Sequence, residues 1–216
     1  RPDPFSHCPQ ADYCSRAYGD GHCDEMCNNE LCLFDGFDCL RQRGNATCPE
    51  ASQCSEKFAD GTCDAECNRE ECAFDGGDCE GQRSRNELSG RLILRLDRPP
   101  TAFLAGRRAF LHGLSTRLRA RVTVEGAESG YGEVYEWFAE AQMVGRRVTE
   151  KTARYSLARS TEVHLIVDIS PCTEHCFSSV ELVSEFIKEE VEKKALPSLG
   201  IADSLSAPRK ARNENE

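Results

Sequence analysis

The residues whose types and spacing could do chemistry are aspartates and cysteines that occur twice along the chain, 40 residues apart. Six aspartates stand at matched positions beside glycines and cysteines, three in each copy: Asp20, Asp35, Asp38, Asp60, Asp75 and Asp78. Carboxylate oxygens are ligands that calcium prefers, and three of them with a few backbone carbonyls make a plausible shell of about 6–8 oxygens. The repeat therefore predicts one calcium ion in each copy, two in all.

Twelve cysteines accompany these aspartates and repeat with the same shift. They are Cys8, Cys14, Cys23, Cys27, Cys32 and Cys39, then Cys48, Cys54, Cys63, Cys67, Cys72 and Cys79. Such density indicates an oxidising compartment and disulfide-stapled modules. Spacing alone leaves the pairing open. Zinc held by thiolates is a weaker alternative because the gaps do not resemble Cys-x2-Cys spacing, and solvated turn aspartates are another.

The charge of the chain is concentrated in the part that carries the repeats. Residues 1–85 hold the whole net charge of −10, and residues 86–216 are neutral overall. An acidic balance argues against nucleic acid as a partner, because phosphates demand a basic surface. Each repeat also has few large apolar residues, so its fold must depend on disulfides and a bound ion rather than on a core.

Short signals indicate where the protein works. The sequon Asn45-Ala46-Thr47 between the copies predicts glycosylation of Asn45 and is compatible with secretion. No apolar run approaches the roughly 18 residues of a membrane helix, and the chain opens with Arg1-Pro2 rather than with a signal peptide. We therefore expect a piece of a larger secreted or membrane-anchored protein.

The elements of residues 86–216 alternate in a way that predicts an α/β sandwich of the βαβ type. Alternating apolar residues predict strands at 92–96, 121–124, 163–169 and about 200–206. Helical periodicity predicts one helix after Pro99-Pro100 and another over about 178–195. The polar, basic stretch 143–160 has no period and is interpreted as a surface loop.

Two further cysteines, Cys172 and Cys176, follow the strand predicted at 163–169 and are expected to pair with each other. A redox or metal pair is the weaker alternative, because His175 is the only other ligand-type residue beside them. The chain has no Gly-x-Ser-x-Gly, His-Glu-x2-His or glycine-rich phosphate loop, and its histidines are scattered. An enzyme is therefore not expected.

The run Asp-Gly-x-Cys-Asp-x2-Cys-Asn, followed by Cys-x-Phe-Asp-Gly-x-Asp-Cys in both copies, resembles the LNR module of the Notch family. The resemblance implies calcium as the bound ion and the six aspartates above as its side-chain ligands. It also implies that the cysteines of a module pair first to fifth, second to fourth and third to sixth. The implied disulfides are Cys8–Cys32, Cys14–Cys27, Cys23–Cys39, Cys48–Cys72, Cys54–Cys67 and Cys63–Cys79.

The second half resembles the Notch heterodimerisation domain. The similarity rests on Gly90-Arg91-Leu92-Ile93-Leu94, the Pro99-Pro100 step, 163–169 and Cys172-x3-Cys176-Phe177. LNR modules ahead of such a domain are typical of the Notch negative regulatory region. We divide the chain into four parts. Residues 1–42 form an LNR module similar to the second of the family's three, and 43–85 form one similar to the third. Residues 86–208 form a heterodimerisation-type domain, and 209–216 form a basic, polar tail.

The resemblance implies the extracellular part of a single-pass cell-surface receptor, joined to the membrane by a span downstream. Calcium-stabilised repeats would cover a metalloprotease site at Ser204–Leu205 until a transmembrane ligand, acting through upstream modules, unfolds it. A three-residue shift would place the bond at Ala207–Pro208, but leucine after the cut suits an apolar pocket better. The alternative is a calcium-binding LNR recognition module of a secreted enzyme, such as a pappalysin-type metalloprotease, which would resemble only residues 8–79.

One departure from the family concerns the stretch 143–160. The family's furin-type site would be a dense basic cluster there, but this chain offers only Arg146-Arg147 and scattered Lys151, Arg154 and Arg159. We therefore predict that the chain is not cut in this stretch. Arg209-Lys210-Ala211-Arg212 fits an Arg-x2-Arg pattern but is interpreted as a basic tail.

Overall fold

The computed structural model describes residues 3–44, 47–79 and 85–209. The predicted glycosylation residue Asn45 lies outside the described residues, as does the tail from residue 210 onward. Within the described ranges the chain divides, as predicted, into a disulfide-rich part and an α/β sheet domain.

The two repeats contain only short helical segments. The first has α1 (Ala11–Ala17), 3-10 turns at Glu25–Cys27 and Glu30–Phe37, and α2 (Asp38–Gln42). The second has α3 (Ala51–Lys57) and a 3-10 segment at Glu70–Gly77. The longest of these has eight residues, so local helix formation contributes little to their stability.

Disulfides supply what the short elements lack. All fourteen cysteines are paired, in the connectivity that the resemblance implies: Cys8–Cys32, Cys14–Cys27, Cys23–Cys39, Cys48–Cys72, Cys54–Cys67, Cys63–Cys79 and Cys172–Cys176. Because every cysteine is in a disulfide, none is free to bind zinc as a thiolate, and Cys172 and Cys176 do not form a metal pair. Each bridge restricts the unfolded chain and is worth about 2–4 kcal/mol.

The second half is a six-stranded sheet with helices on one face. Its strands are β1 (Arg91–Leu96), β2 (Arg121–Val124), β3 (Val134–Phe138), β4 (Met143–Arg147), β5 (Ser160–Asp168) and β6 (Ile201–Ala207). Its helices are α4 (Pro100–Ala105), α5 (Arg107–Leu118), α6 (Glu150–Ala153) and α7 (Val180–Glu192), with 3-10 turns at Ala127–Ser129 and Pro197–Leu199.

The strand order is β4-β3-β5-β1-β6, with β2 also paired to β5, and all these ladders are antiparallel. Because β1 and β2 are both antiparallel to β5, they run the same way, joined through α4 and α5. By the same reasoning β5 and β6 run the same way on either side of β1, joined through α7. The predicted βαβ units are therefore present in split form, each with a strand inserted between its two parallel members.

Alternation along the strands sends one set of side chains into the core. Leu92, Leu94 and Leu96 of β1 are fully buried, as are Phe186 and Ile187 of α7. This core is continuous with apolar residues of the first repeat, and Phe58 and Ala73 of the second belong to the same cluster. The repeats and the sheet domain therefore share one apolar interior.

Two sequence interpretations need correction. The stretch 143–160 is not simply a loop, because it contains β4 and the capped helix α6, whose Thr149 side chain accepts a hydrogen bond from the Thr152 N–H. The strand was missed because β4 is short and lies at the sheet edge with Met143 and Val144 exposed, so it has no buried alternation. The helix after the prolines is two helices that meet at Gly106.

Candidate calcium sites and the covered last strand

The aspartates of the first repeat tie two loops together. The Gly21 N–H donates to Asp38 Oδ2 over 2.8 Å, and the Asp24 N–H donates to Asp35 Oδ2 over 2.8 Å. Asp35 and Asp38 are almost fully buried, whereas the Asp20 side chain is partly exposed. The structure therefore brings the segment that begins at Asp20 against the two buried carboxylates.

The second repeat has the same arrangement. The Gly61 N–H donates to Asp78 Oδ2 over 2.9 Å, and the Asp64 N–H donates to Asp75 Oδ2 over 2.7 Å. Asp60 accepts from the Thr62 N–H over 2.8 Å. Since the two copies differ at many other positions, the shared geometry follows from the repeated aspartates, glycines and cysteines.

In each repeat one buried carboxylate oxygen has no hydrogen-bond partner among the described residues: Asp35 Oδ1 and Asp75 Oδ1. Burial raises the pKa of Asp35 to about 6, and the nearby carboxylates add to the effect; burial likewise raises the pKa of Asp75. An unpartnered buried carboxylate is costly unless a cation neutralises it. The donor set, all oxygen and acidic, therefore fits calcium.

The three carboxylates of a repeat are not a compact cluster. In the described part of the chain, the groups of three candidate ligands within 4.8 Å of one another all contain disulfide cysteines instead. A calcium ion would have to draw the carboxylates closer together. Asn28 Oδ1 is another buried oxygen without a partner among the described residues, and its only sequence signal is the repetition of Asn28 at Asn68.

The turn between the buried carboxylates is left-handed. Residues 33–37 of the first repeat all have φ between 52° and 65°, and 73–77 repeat the conformation. Such backbone costs about 1–2 kcal/mol for each non-glycine residue. A Cβ on Gly76 would lie 2.7 Å from Ala59 N, so a side chain there would collide with backbone. The carboxylates are thus presented by a turn that the flanking disulfides must hold.

The first repeat packs on α7 through aromatic rings. Phe34 lies 5.2 Å from Phe177, and Phe37 lies 5.2 Å from Phe186, between ring centroids. Tyr18 also contacts Phe186, at 6.2 Å. All five rings are buried, and Phe34 and Phe37 belong to the left-handed turn itself. This apolar contact is the main junction between the first repeat and the sheet domain.

An arginine of α5 joins the same junction. Arg117 Nε and Nη2 donate to the two oxygens of Glu190 over 2.5 and 2.7 Å, and Nη2 also donates to the Gly36 carbonyl over 3.2 Å. The Tyr18 hydroxyl donates to Glu190 Oε1 over 2.7 Å. Glu190 is 1% exposed. The Arg117 side chain thus connects Gly36, in the turn between Asp35 and Asp38, with Glu190 of α7.

The second repeat packs on another part of the sheet domain. Phe58 contacts His112 of α5 at 5.5 Å between ring centroids, and burial lowers the pKa of His112. Glu70 accepts from Arg119 and, over 3.1 Å, from the Thr173 hydroxyl. The first repeat therefore packs mainly on α7, and the second packs on α5.

The strand β6 that carries Ser204 and Leu205 lies at the edge of the sheet under α7. Among the strands that the structure describes, it pairs with β1 alone, where Leu94 pairs with Ser204 and Ile93 with Leu205. Ser204 is fully buried, and its hydroxyl lies 3.1 Å from the Ser184 hydroxyl of α7. Helix α7 thus contacts β6 on one side and the first repeat on the other.

Comparison with known proteins identifies these parts. The family model described as the Notch LNR domain matches residues 5–40 and 45–80, and the model described as NOD: NOTCH protein matches 87–139. Two LNR modules followed by a NOD domain make this chain a negative regulatory region of the Notch type. The NOD match disfavours the secreted-enzyme alternative, which the repeats alone would have allowed.

Individual relatives agree with this assignment. The chain is 30% identical to mouse neurogenic locus notch homolog protein 2 over 253 residues, covering 94% of this chain and 10% of that protein. It is 47% identical to human neurogenic locus notch homolog protein 4 over 38 residues, covering 18% of this chain and 2% of that protein. The chain spans a tenth or less of the length of these relatives. Among the described residues, no helix is long and apolar enough to cross a membrane.

Proposed function

We propose that this region is the extracellular switch of a single-pass Notch-like receptor and acts as a protease substrate rather than as an enzyme. In the closed form the repeats hold α7 over β6 and so deny a metalloprotease the bond Ser204–Leu205. The observation that supports this most directly is the position of α7, whose Phe186 packs against the first repeat and whose Ser184 contacts Ser204.

A strand buried in a ladder cannot enter a protease cleft until local unfolding releases it. Here the backbone of Ser204 and Leu205 is paired with β1, and the Ser204 side chain is covered by α7. Loss of the first repeat would expose the aromatic face of α7 and weaken its hold on β6. A transmembrane ligand that pulls on modules upstream of this chain would act in that way.

We propose that each repeat binds one calcium ion, through Asp20, Asp35 and Asp38 and through Asp60, Asp75 and Asp78. Extracellular calcium modules have dissociation constants of about 10⁻⁴–10⁻³ M. At millimolar calcium, an ion that binds only the closed form would then stabilise it by about 0.4–1.4 kcal/mol. Two such ions would together stabilise the closed form by about 0.8–2.8 kcal/mol, in addition to the aromatic and Arg117 contacts.

The proposal is tested by the rate of cleavage at Ser204–Leu205. The purified chain is incubated with an activating metalloprotease at millimolar calcium, and the product is identified by N-terminal sequencing. A variant carrying both Asp35→Asn and Asp75→Asn removes a proposed calcium ligand from each repeat. No chelator is then needed, so the metalloprotease is assayed in the same buffer with both proteins. We expect slow cleavage of the parent chain, because α7 covers Ser204 and β6 is paired with β1, and faster cleavage of the variant. Equal rates would reject the masking role of the repeats.

A further inference from the structure

The chain that leaves β6 is fastened by two arginines. Arg91 Nε donates to the Pro208 carbonyl over 2.9 Å, and Arg91 is 3% exposed. Arg209 donates from all three of its guanidinium nitrogens: Nε to the Gly90 carbonyl over 3.1 Å, Nη1 to Glu87 over 2.7 Å and Nη2 to the Leu88 carbonyl over 3.2 Å. These contacts continue past Ala207, where the backbone ladder of β6 ends.

The backbone on both sides of this contact is close enough to require glycine. Gly90 has φ +92°, and a Cβ on it would lie 3.0 Å from the Ala207 carbonyl oxygen. The segment before β1 and the end of β6 are therefore in direct contact, and the planar fork of Arg209 spans them. Lysine carries its donors on one nitrogen and lacks the planar fork that spans these three acceptors.

We propose that Arg209, together with Arg91, forms a clamp that keeps the C-terminal half of β6 closed independently of calcium. This rests on the proposed function, because it concerns exposure of the bond Ser204–Leu205. A protease cleft takes up several residues on each side of the bond as an extended strand. Pro208 must therefore leave Arg91, and Arg209 must leave the segment 87–90, before the substrate can enter.

The clamp is separate from the contacts made by the repeats. The hydrogen-bond and ion-pair partners of Arg91 are Pro208, His164 and Glu125, and those of Arg209 are Glu87, Leu88 and Gly90. All belong to the sheet domain. Because sites that share no partner usually contribute additively to stability, opening of the clamp and loss of calcium should multiply in their effects on the cleavage rate.

The test uses Arg209→Ala, Glu87→Gln and the double variant, with Arg154→Ala as a control for loss of an exposed arginine. Arg209 lies beyond the last strand, so its replacement leaves the core intact; Arg91 is buried and is left unchanged. We expect Arg209→Ala to raise the cleavage rate about threefold to tenfold at millimolar calcium. Glu87→Gln should have a smaller effect, and adding it to Arg209→Ala should change nothing further. In the Asp35→Asn, Asp75→Asn background, Arg209→Ala should give the same fold-increase.

Hydrogen exchange of the amides of 203–207 gives a second readout that needs no protease, and Arg209→Ala should speed it. If Arg209→Ala matches Arg154→Ala in both cleavage and exchange, the clamp is rejected. Masking by the repeats is then decided separately, by the variant carrying Asp35→Asn and Asp75→Asn. If exchange of 203–207 speeds up in Arg209→Ala although loss of the calcium ligands changes nothing, the clamp is retained and the switch function is rejected.

Discussion

Ser184 of α7 and Ser204 of β6 lie with their hydroxyl oxygens 3.1 Å apart, and neither side chain is more than 1% exposed. A buried hydroxyl pair of this kind satisfies both groups only while helix and strand stay together. The contact therefore reports directly on the closed state. Helix α7 therefore links the proposed protease site to the first repeat, because its Ser184 contacts Ser204 and its Phe186 contacts Phe37.

Calcium stoichiometry should follow the buried aspartates one by one. Asp35→Asn and Asp75→Asn should each remove one ion from the two expected, because each replaces the carboxylate whose Oδ1 is buried without a partner among the described residues. Native mass spectrometry at varied calcium counts the ions. Asp12→Asn, an exposed position of α1, is the control. Two ions retained in both test variants would refute the ligand assignment.

Breaking the buried ion pair of the first junction should weaken the closed state. Arg117→Met leaves Glu190 buried and unpaired, which typically costs about 3–5 kcal/mol. We expect a lower urea midpoint and faster cleavage at Ser204–Leu205 with calcium present. Adding Glu190→Gln should recover part of the loss, because the uncompensated charge is removed. If the double variant is as unstable as the sum of the single variants, the two side chains do not act as a pair.

The stability of the fold should decrease at acid pH because of Glu162 in β5. Burial alone would raise the pKa of Glu162, but hydrogen bonds from His164 and Arg95 lower it below its ordinary value of 4.5. A carboxyl with a lowered pKa stabilises the fold above its ordinary value, and this contribution is lost as pH falls through the lowered value. The urea concentration at the unfolding midpoint should therefore decrease when the pH is lowered below about 4.5. Glu162→Gln should show a smaller fall over the same range; an unchanged pH profile would contradict the prediction.

The chain should remain a single polypeptide after secretion. Arg146 and Arg147 lie in β4 and pair with Glu136 of β3 and with Glu133, which directly precedes β3. Two of the sparse basic residues of 143–160 are therefore held in a hairpin. Mass spectrometry under denaturing, reducing conditions should give one protein chain of 24.0 kDa, plus any glycan. Two fragments with a new N-terminus in this stretch would overturn the prediction.

Sequence patterns predicted the parts of the fold that are locally encoded. The helix over about 178–195 follows from the apolar period of Val180, Val183 and Ile187, and α7 occupies that position. Strand β4 left no such signal, because its side chains are exposed and its pairing with β3 alone defines it. A strand of this kind is visible only once its partner is placed.

Contacts between distant segments could not be predicted. Arg117 and Glu190 are 73 residues apart, and nothing in either helix marks them as partners. The left-handed turn at 33–37 includes leucine and phenylalanine, which by themselves disfavour positive φ; it is imposed by disulfides and by packing on α7. The repeated aspartates could be found from spacing. That Asp35 Oδ1 is buried without a partner among the described residues depends on the three-dimensional arrangement of its neighbours, which the sequence does not show.

The position of β6 at the sheet edge has a mechanical consequence. Releasing an edge strand breaks one ladder, whereas β1 would remain paired with β5 and the rest of the sheet would keep its registers. Once α7 and the Arg209 contacts release it, such a strand can separate from β1 without breaking the other ladders. A central strand would yield only when the whole sheet failed. The architecture therefore allows β6 to open locally without global unfolding of the sheet domain.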